Sequence, residues 1–231
     1  MDERVRDVVS VVAEPYEFEF EPASTALVIV DMQRDFIDPG GLNEQLGNDV
    51  SLLRSVIPSL QKVLDAWRDA GLAVIYTREG HRPDLAGCPP TKRVRGRLAC
   101  GIGDQGSIGR ILVRGFYGHD IIDELAPVNH ETVIDKPGKG SFFATDLDLL
   151  LHNLGIRSPV VSGVTTEVCV TSTVREANDR GYECLVLSDC VGSYFPDFHR
   201  ASLEMITAQG GLFGWVTDSA ALLATLDHHR S

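Results

Sequence analysis

A thiol, a carboxylate and an ammonium stand in this chain where a nucleophilic site would need them: Cys169, Asp31 and Lys136. Cys169 closes the run Ser162-Gly163-Val164-Thr165-Thr166-Glu167-Val168-Cys169, an apolar strand pattern giving way to a helix, so it falls in that helix's first turn. Free backbone N–H groups and the helix dipole favour negative charge there. A thiol so placed has a lowered pKa, and its thiolate is the nucleophile. The same N–H groups can hold the oxyanion of an attacked carbonyl. A small buried apolar residue suits the position equally well. Asp31 ends the run Ala26-Leu27-Val28-Ile29-Val30. As a base for Cys169 it faces a reference-pKa gap of about 4.6 units, or roughly 6 kcal/mol. Burial of the carboxylate and the helix terminus beside the thiol would narrow that gap. A turn aspartate also explains Asp31 taken alone. Lys136 brings a cation that favours a thiolate and can hold a carbonyl or oxyanion. It also lowers the Asp31 pKa, against the base role. A solvent-facing lysine fits Lys136 too, as it fits its neighbour Lys139.

The elements that must carry these residues alternate strand and helix. Ala26–Val30 is a continuous apolar β run of the kind buried on both faces of a parallel sheet. A helix follows from about Val50 to Ala70, capped at Asn48 or Asp49 and ended by Gly71, with a kink or break expected at Pro58. Further strands are read at Leu72–Thr77, Thr132–Asp135, Pro159–Val164, Glu183–Leu187 and Gly211–Val216. Helices are read at Leu147–Leu154, Glu167–Arg180, Phe198–Ala208 and Ser219–Leu226. Residues 79–118 are rich in Gly, Pro and Arg without a period, and a loop that long is usually functional. Residues 1–22 read as an extended arm laid on a neighbouring surface, and 23–231 as one domain. The pattern predicts a three-layer, doubly wound α/β fold, with a six-stranded, mainly parallel sheet and helices on both faces. In such sheets the site lies at the carboxyl ends of the strands, where all three residues fall.

Composition narrows the function. The chain has 231 residues, 43% hydrophobic, with a net charge of −12. That charge argues against a nucleic-acid partner. The basic stretch Lys92, Arg93, Arg95, Arg97 is the local exception and reads as a solvated loop, with an anion contact or subunit salt bridge as the sharper reading. No apolar run is long enough to span a bilayer, and the N-terminus lacks a signal-peptide pattern. Five cysteines without paired spacing fit a reducing compartment, so the expected location is the cytoplasm. No Cys-x-x-Cys is present, against a structural zinc site. Cys184 reads as core, Cys190 less clearly so, and nothing marks Cys88 or Cys100 as catalytic.

Three segments, Leu27-Val28-Ile29-Val30-Asp31-Met32-Gln33-Arg34-Asp35-Phe36, Asp135-Lys136-Pro137 and Gly163-Val164-Thr165-Thr166-Glu167-Val168-Cys169-Val170, together resemble the isochorismatase-like cysteine hydrolases. The likeness runs from about Thr25 to Leu226. It implies an Asp31–Lys136–Cys169 triad and a cis peptide between Val164 and Thr165. That peptide directs the Thr165 N–H, with that of Cys169, at the oxyanion. No cofactor is implied. Vinyl-ether-cleaving isochorismatases generally lack the cysteine, so Cys169 disfavours that activity. Nicotinamidases carry an Asp-x-His…His metal site after strand two. The stretch here, Thr77-Arg78-Glu79-Gly80-His81-Arg82-Pro83, has a single histidine, so no catalytic metal is expected.

The biuret, triuret and ureidoacrylate hydrolases are the most similar branch. They share Arg78–Leu85, Lys136–Phe142, Arg175–Glu183 and Gln209-Gly210-Gly211. Gln209 matches a substrate-binding glutamine of that pattern, although a helix C-terminal polar residue is an equal reading. Phe36 walls the pocket in this reading. Arg78 and Arg175 are candidates for a substrate carboxylate, or for holding subunits and helices together. The expectation is a cysteine-dependent amidohydrolase that cleaves a C–N bond of a small linear amide or ureide of the biuret type through a thioester, releasing ammonia. Isochorismatase-type vinyl-ether hydrolysis and nicotinamidase-like amide hydrolysis are the alternatives. A small-molecule substrate, no nucleic-acid or membrane partner, and a homotetramer complete the reading.

Overall fold

A computed structural model describes residues 8–94 and 100–230. Arg95 and Arg97 of the basic stretch lie outside the described residues.

The first element is a short antiparallel hairpin, β1 (Val9–Val11) and β2 (Phe18–Phe20). Strand β3 (Thr25–Val30) is buried at every position. After it come the short helices α1 (Arg34–Ile37), α2 (Leu42–Gln45) and α3 (Ser51–Arg54), then α4 (Ile57–Asp69) and β4 (Ala73–Glu79). The expected Val50–Ala70 helix is thus broken ahead of Pro58, which sits in the first turn of α4, where its missing N–H costs nothing. Helix α5 (Pro90–Val94) and the two-residue strands β5 (Gln105–Gly106) and β6 (Gly109–Arg110) punctuate the long 79–118 segment. The order continues through β7 (Thr132–Lys136), α6 (Leu147–Asn153), β8 (Ser158–Val164) and α7 (Thr171–Asn178). It closes with β9 (Leu185–Gly192), α8 (Pro196–Gly211), β10 (Trp215–Thr217) and α9 (Ser219–Arg230).

The central sheet runs β10-β9-β8-β3-β4-β7, and every pairing in it is parallel. Residues of β3 alternate between two cores. Leu27 and Ile29 face one, with Leu60, Val63, Leu64 and Trp67 of α4 and Leu222 and Leu226 of α9. Ala26, Val28 and Val30 face the other, with Leu151 of α6, Val174 of α7 and Ile206 of α8. A parallel sheet buried on both faces needs apolar residues at every strand position, which is why β3 shows no alternation in its sequence.

The N-terminal segment departs from the expected arm. The described part of it, the β1–β2 hairpin, folds back on its own domain, burying Val11, Phe18 and Phe20 in the α4/α9 core. The Phe18 ring sits 4.9 Å from that of Trp215, and Glu14 exchanges backbone hydrogen bonds with Val216. Phe18 and Phe20 share one face because strand side chains repeat every two residues, and that apolar face belongs to this chain's own core.

Strand β3 continues to β4 on one side, and the chain later crosses back to place β8 on its other side. The switch point therefore falls between β3 and β8, where a crevice opens at the carboxyl ends.

Candidate active site

The carboxyl ends of the strands bring Asp31, Lys136 and Cys169 together. Asp31 follows β3 with a backbone φ of 51°, a left-handed turn that aspartate tolerates better than most residues. Its N–H donates to Thr77 O at 3.1 Å, and Thr77 Oγ1 donates to Asp31 Oδ1 at 2.9 Å. Lys136 ends β7, two strands away, and spans the interval with its full length. Its Nζ lies 2.7 Å from Asp31 Oδ2, and both side chains are wholly buried. Lys136 Nζ also donates to Gly138 O at 3.0 Å and Lys139 O at 2.8 Å. The contact between Lys136 and Asp31 Oδ2 is a short charge-assisted one, and the carboxylate oxygen keeps a lone pair for a proton. Burial by itself would lower the Lys136 pKa, but the Asp31 carboxylate, with Cys169 and Glu79, raises it overall, so the group is an ammonium.

Cys169 enters from the other side of β3. The peptide between Val164 and Thr165 is cis, as the resemblance implied. The chain then makes one π-helical turn, Thr166–Val170, before α7 begins. This turn replaces the start of the expected Glu167–Arg180 helix and places Cys169 inside the crevice, with 3% of its surface exposed. The close approach of β8 to β3 requires Gly163, whose φ is 103° and where a Cβ would lie 2.0 Å from Val30 O. Asp31, Glu79 and Cys169 bring a carboxylate oxygen each and Sγ within 4.8 Å of one another. Sγ lies 4.0 Å from Glu79 Oε2.

Expectation and structure differ on the thiol. Burial and then the Asp31 carboxylate push the Cys169 pKa well above its ordinary value, outweighing the lowering by Lys136. A low-dielectric crevice with two carboxylates disfavours a third negative charge more than one helical turn favours it. These surroundings favour the neutral thiol over the thiolate.

Glu79 was not among the residues singled out from the sequence. It is buried at the end of β4, directly opposite Lys136 in the register. Lys139 donates to both its oxygens, at 2.9 and 2.8 Å. The Glu79 backbone is pinned by the buried Gln33, whose Oε1 accepts from Glu79 N–H at 2.7 Å and whose Nε2 donates to Glu79 O at 3.0 Å. The strand-end rule that marked Asp31 would have found Glu79 as well, but the apolar run stops at Thr77, two residues short. Among the described residues, Asp31, Glu79 and Cys169 form the grouping with metal-ligand spacing. Each of its carboxylates already carries an ammonium, so the charge a cation would supply is in place.

A cavity of about 210 Å³ opens beside the thiol, lined by Phe36, Asn48, Glu79, Lys139, Glu167 and Tyr194 among others. A larger cavity of about 560 Å³ lies between the hairpin, α8 and β10; Cys169 lines the smaller one. Phe36 lines this smaller cavity, and its backbone O accepts from Tyr194 Oη. Gln209 does not line it in this chain. It lies exposed at a break near the end of α8, with φ 55°. Arg175 lies with its guanidinium 4.0 Å over the Phe213 ring. Arg78 is held by Asp120 at 2.6 Å and Asp135 at 2.9 Å. Both arginines serve as packing and ion-pair residues within the subunit. Lys92 donates to Pro137 O at 2.6 Å, tying the 79–118 segment to the loop after Lys136. The structure also brings a second histidine to His81's neighbourhood. His119 packs against Gly80, where a Cβ would lie 2.2 Å from its Nε2, and it faces Asp135 at 3.4 Å.

The fold is a doubly wound parallel sheet with a buried cysteine beside its switch point, and comparison with known proteins supplies the family. Residues 25–221 match the isochorismatase domain, and the chain belongs to that family. It is 34% identical over 223 residues to the ureidoacrylate amidohydrolase RutB of Acinetobacter baylyi, covering 94% of this chain and 90% of the relative. A cysteine hydrolase from Pseudomonas syringae pv. phaseolicola superposes with a TM-score of 0.76 at 27% identity, covering 95% of this chain and 98% of the other. An N-carbamoylsarcosine amidase from Thermoplasma acidophilum gives 0.63 at 27% identity, covering 85% and 96%. The protein is thus an isochorismatase-family hydrolase, related to an amidohydrolase. No helix among the described residues is long and apolar enough to cross a membrane.

Proposed function

We propose that this protein is a cysteine-dependent amidohydrolase that cleaves a C–N bond of a small linear ureide. The observation that carries the reading is the buried meeting of three strand ends: Lys136 Nζ 2.7 Å from Asp31 Oδ2, with Cys169 Sγ within 4.8 Å of that carboxylate. Asp31 takes the thiol proton as Sγ bonds to the carbonyl carbon. The carbonyl π electrons pass to oxygen, held by the N–H groups of Thr165 and Cys169. The tetrahedral species collapses, the C–N bond breaks, and Asp31 returns its proton to the leaving nitrogen. Ammonia or an amine departs. Water gives a proton to Asp31 and attacks the thioester; the C–S bond breaks, and the proton returns to sulfur. No step calls on a metal or organic cofactor.

The charged groups lining the cavity are Glu79, Glu167 and Lys139. Lys139 is paired with Glu79, which supports an uncharged, biuret-like ureide. A ureido acid is the second reading, supported by the likeness to a ureidoacrylate amidohydrolase and by the 46% exposure of the Lys139 side chain. Ammonia release should be measured from biuret, triuret, ureidoacrylate, N-carbamoyl amino acids and nicotinamide, with Cys169→Ala as control. Turnover of a ureide that the variant loses is the expected result. Full activity in Cys169→Ala would overturn the mechanism, and turnover of nicotinamide alone would overturn the substrate class. The assembly proposed is a homotetramer; the exposed Phe195–Phe198 ring pair beside the cavity offers an apolar surface for a subunit contact, and light scattering tests the subunit number.

A further inference from the structure

Resting on that reading, we infer that Glu79 is the residue that distinguishes a ureide from a simple amide. Its carboxylate accepts an N–H from the nitrogen that stays on the reacting carbonyl carbon while the other nitrogen leaves. The carbonyl carbon of a ureide carries two nitrogens, and that of a carboxamide only one. Asp31 serves the departing nitrogen. The retained one needs an acceptor of its own, and Glu79 stands within 4.8 Å of both the thiol and the Asp31 carboxylate.

The distances close. A carbonyl carbon poised for attack lies roughly 3–3.5 Å from the nucleophile. Its nitrogen is about 1.33 Å further, and an N–H···O bond spans roughly 2.7–3.2 Å. Glu79 Oε2, at 4.0 Å from Sγ, is within reach of that nitrogen without any movement of the chain. Lys139 occupies one acceptor site on each Glu79 oxygen. The Cys169 thiol donates to Oε2 as well; a carboxylate has about four such sites, and the thiol vacates its site on Oε2 when it gives its proton to Asp31, which opens that site to the substrate. The carboxylate is also held in position, by Gln33 on its backbone and Lys139 on its head.

A purely structural ion pair explains this placement poorly. Glu79 is fully buried and lines the cavity, and its charge raises the pKa of the thiol that must react. A buried charge opposing the nucleophile makes sense where the bound substrate supplies the N–H that it lacks. A methylene presented at the same place would leave the cavity side of the carboxylate desolvated and unpaired.

The test compares isosteres. Values of kcat/KM are measured for biuret and for malonamide, in which CH₂ replaces the bridging NH. If another ureide of the panel is turned over faster, it is paired with its own carbon isostere. The wild type should prefer the ureide by tenfold or more. Glu79→Gln should reduce the ureide-to-amide ratio by roughly 10- to 100-fold, the span expected for one hydrogen bond to a charged group. Because Glu79→Gln leaves Lys139 short of its counter-charge, Glu79→Gln/Lys139→Gln carries the same comparison should the single variant not fold. A ratio unchanged in a folded variant, with ureide turnover still lost in Cys169→Ala, overturns this inference alone. Absence of Cys169-dependent turnover of any ureide overturns the proposed function, and this inference with it.

Discussion

Replacing Asp31 by asparagine should make Cys169 more reactive and the enzyme less active. In the native site, burial and the Asp31 carboxylate raise the thiol pKa while Lys136 lowers it. The amide would delete the raising charge and leave the Lys136 ammonium, so the thiol pKa falls and alkylation by iodoacetamide at neutral pH speeds up. Turnover should nevertheless drop by roughly 10²–10⁴-fold, the usual cost of removing a general acid–base group, because no group remains to carry the proton to the leaving nitrogen. Stability should fall too. Lys136 is wholly buried and loses its counter-charge, a change that costs about 3–5 kcal/mol when one partner of a buried pair is removed. Its remaining bonds to Gly138 O and Lys139 O place the loss near the lower end, about 3 kcal/mol, or roughly 6–12 °C in Tm for a chain of this size. Alkylation rate, ammonia release and calorimetry on one preparation of Asp31→Asn read all three. Slower alkylation would refute the reasoning, since it would mean that Asp31 sustains a thiolate in the resting enzyme. Unchanged turnover would remove Asp31 from the proton path.

Two further outcomes follow from the geometry. Gly163→Ala sets a Cβ 2.0 Å from Val30 O at φ 103°. It should lower stability by about 3 kcal/mol or more, read as a shifted urea midpoint; a shift below about 1 kcal/mol would show that β8 can part from β3 at little cost. Burial holds the His81 pKa below its ordinary 6.5. The unfolded chain therefore binds protons below pH 6.5 that the folded chain refuses, so the contribution of a neutral His81 is complete above that pH and is lost as pH falls below it. The Tm should drop on acidification below that ordinary value, and by less in His81→Gln. Equal slopes in the two proteins would count against it.

The strand ends were legible in the sequence because apolar runs stop where buried backbone meets polar residues: Asp31 after Val30, Lys136 after Asp135, and Cys169 beyond Val164. The doubly wound class followed from the same runs, and the break at Pro58 from a ring that cannot sit inside a helix. Local pattern could not show that β3 lies between β8 and β4, and so which strand ends would touch. Strand order is decided by how the two cores pack. Glu79 and Lys139 became partners only in that order, since parallel neighbours β4 and β7 set Glu79 opposite Lys136. The N-terminal hairpin carries the same lesson, for nothing local says which apolar surface Phe18 and Phe20 will cover. The sequence by itself determined the chemical types at the strand ends and the class of sheet that presents them. Tertiary structure alone decided the direction in which the thiol pKa moves, because a pKa depends on burial and on charges brought together from distant segments. It likewise decided the company Cys169 keeps: two carboxylates and two ammonium groups in a buried crevice.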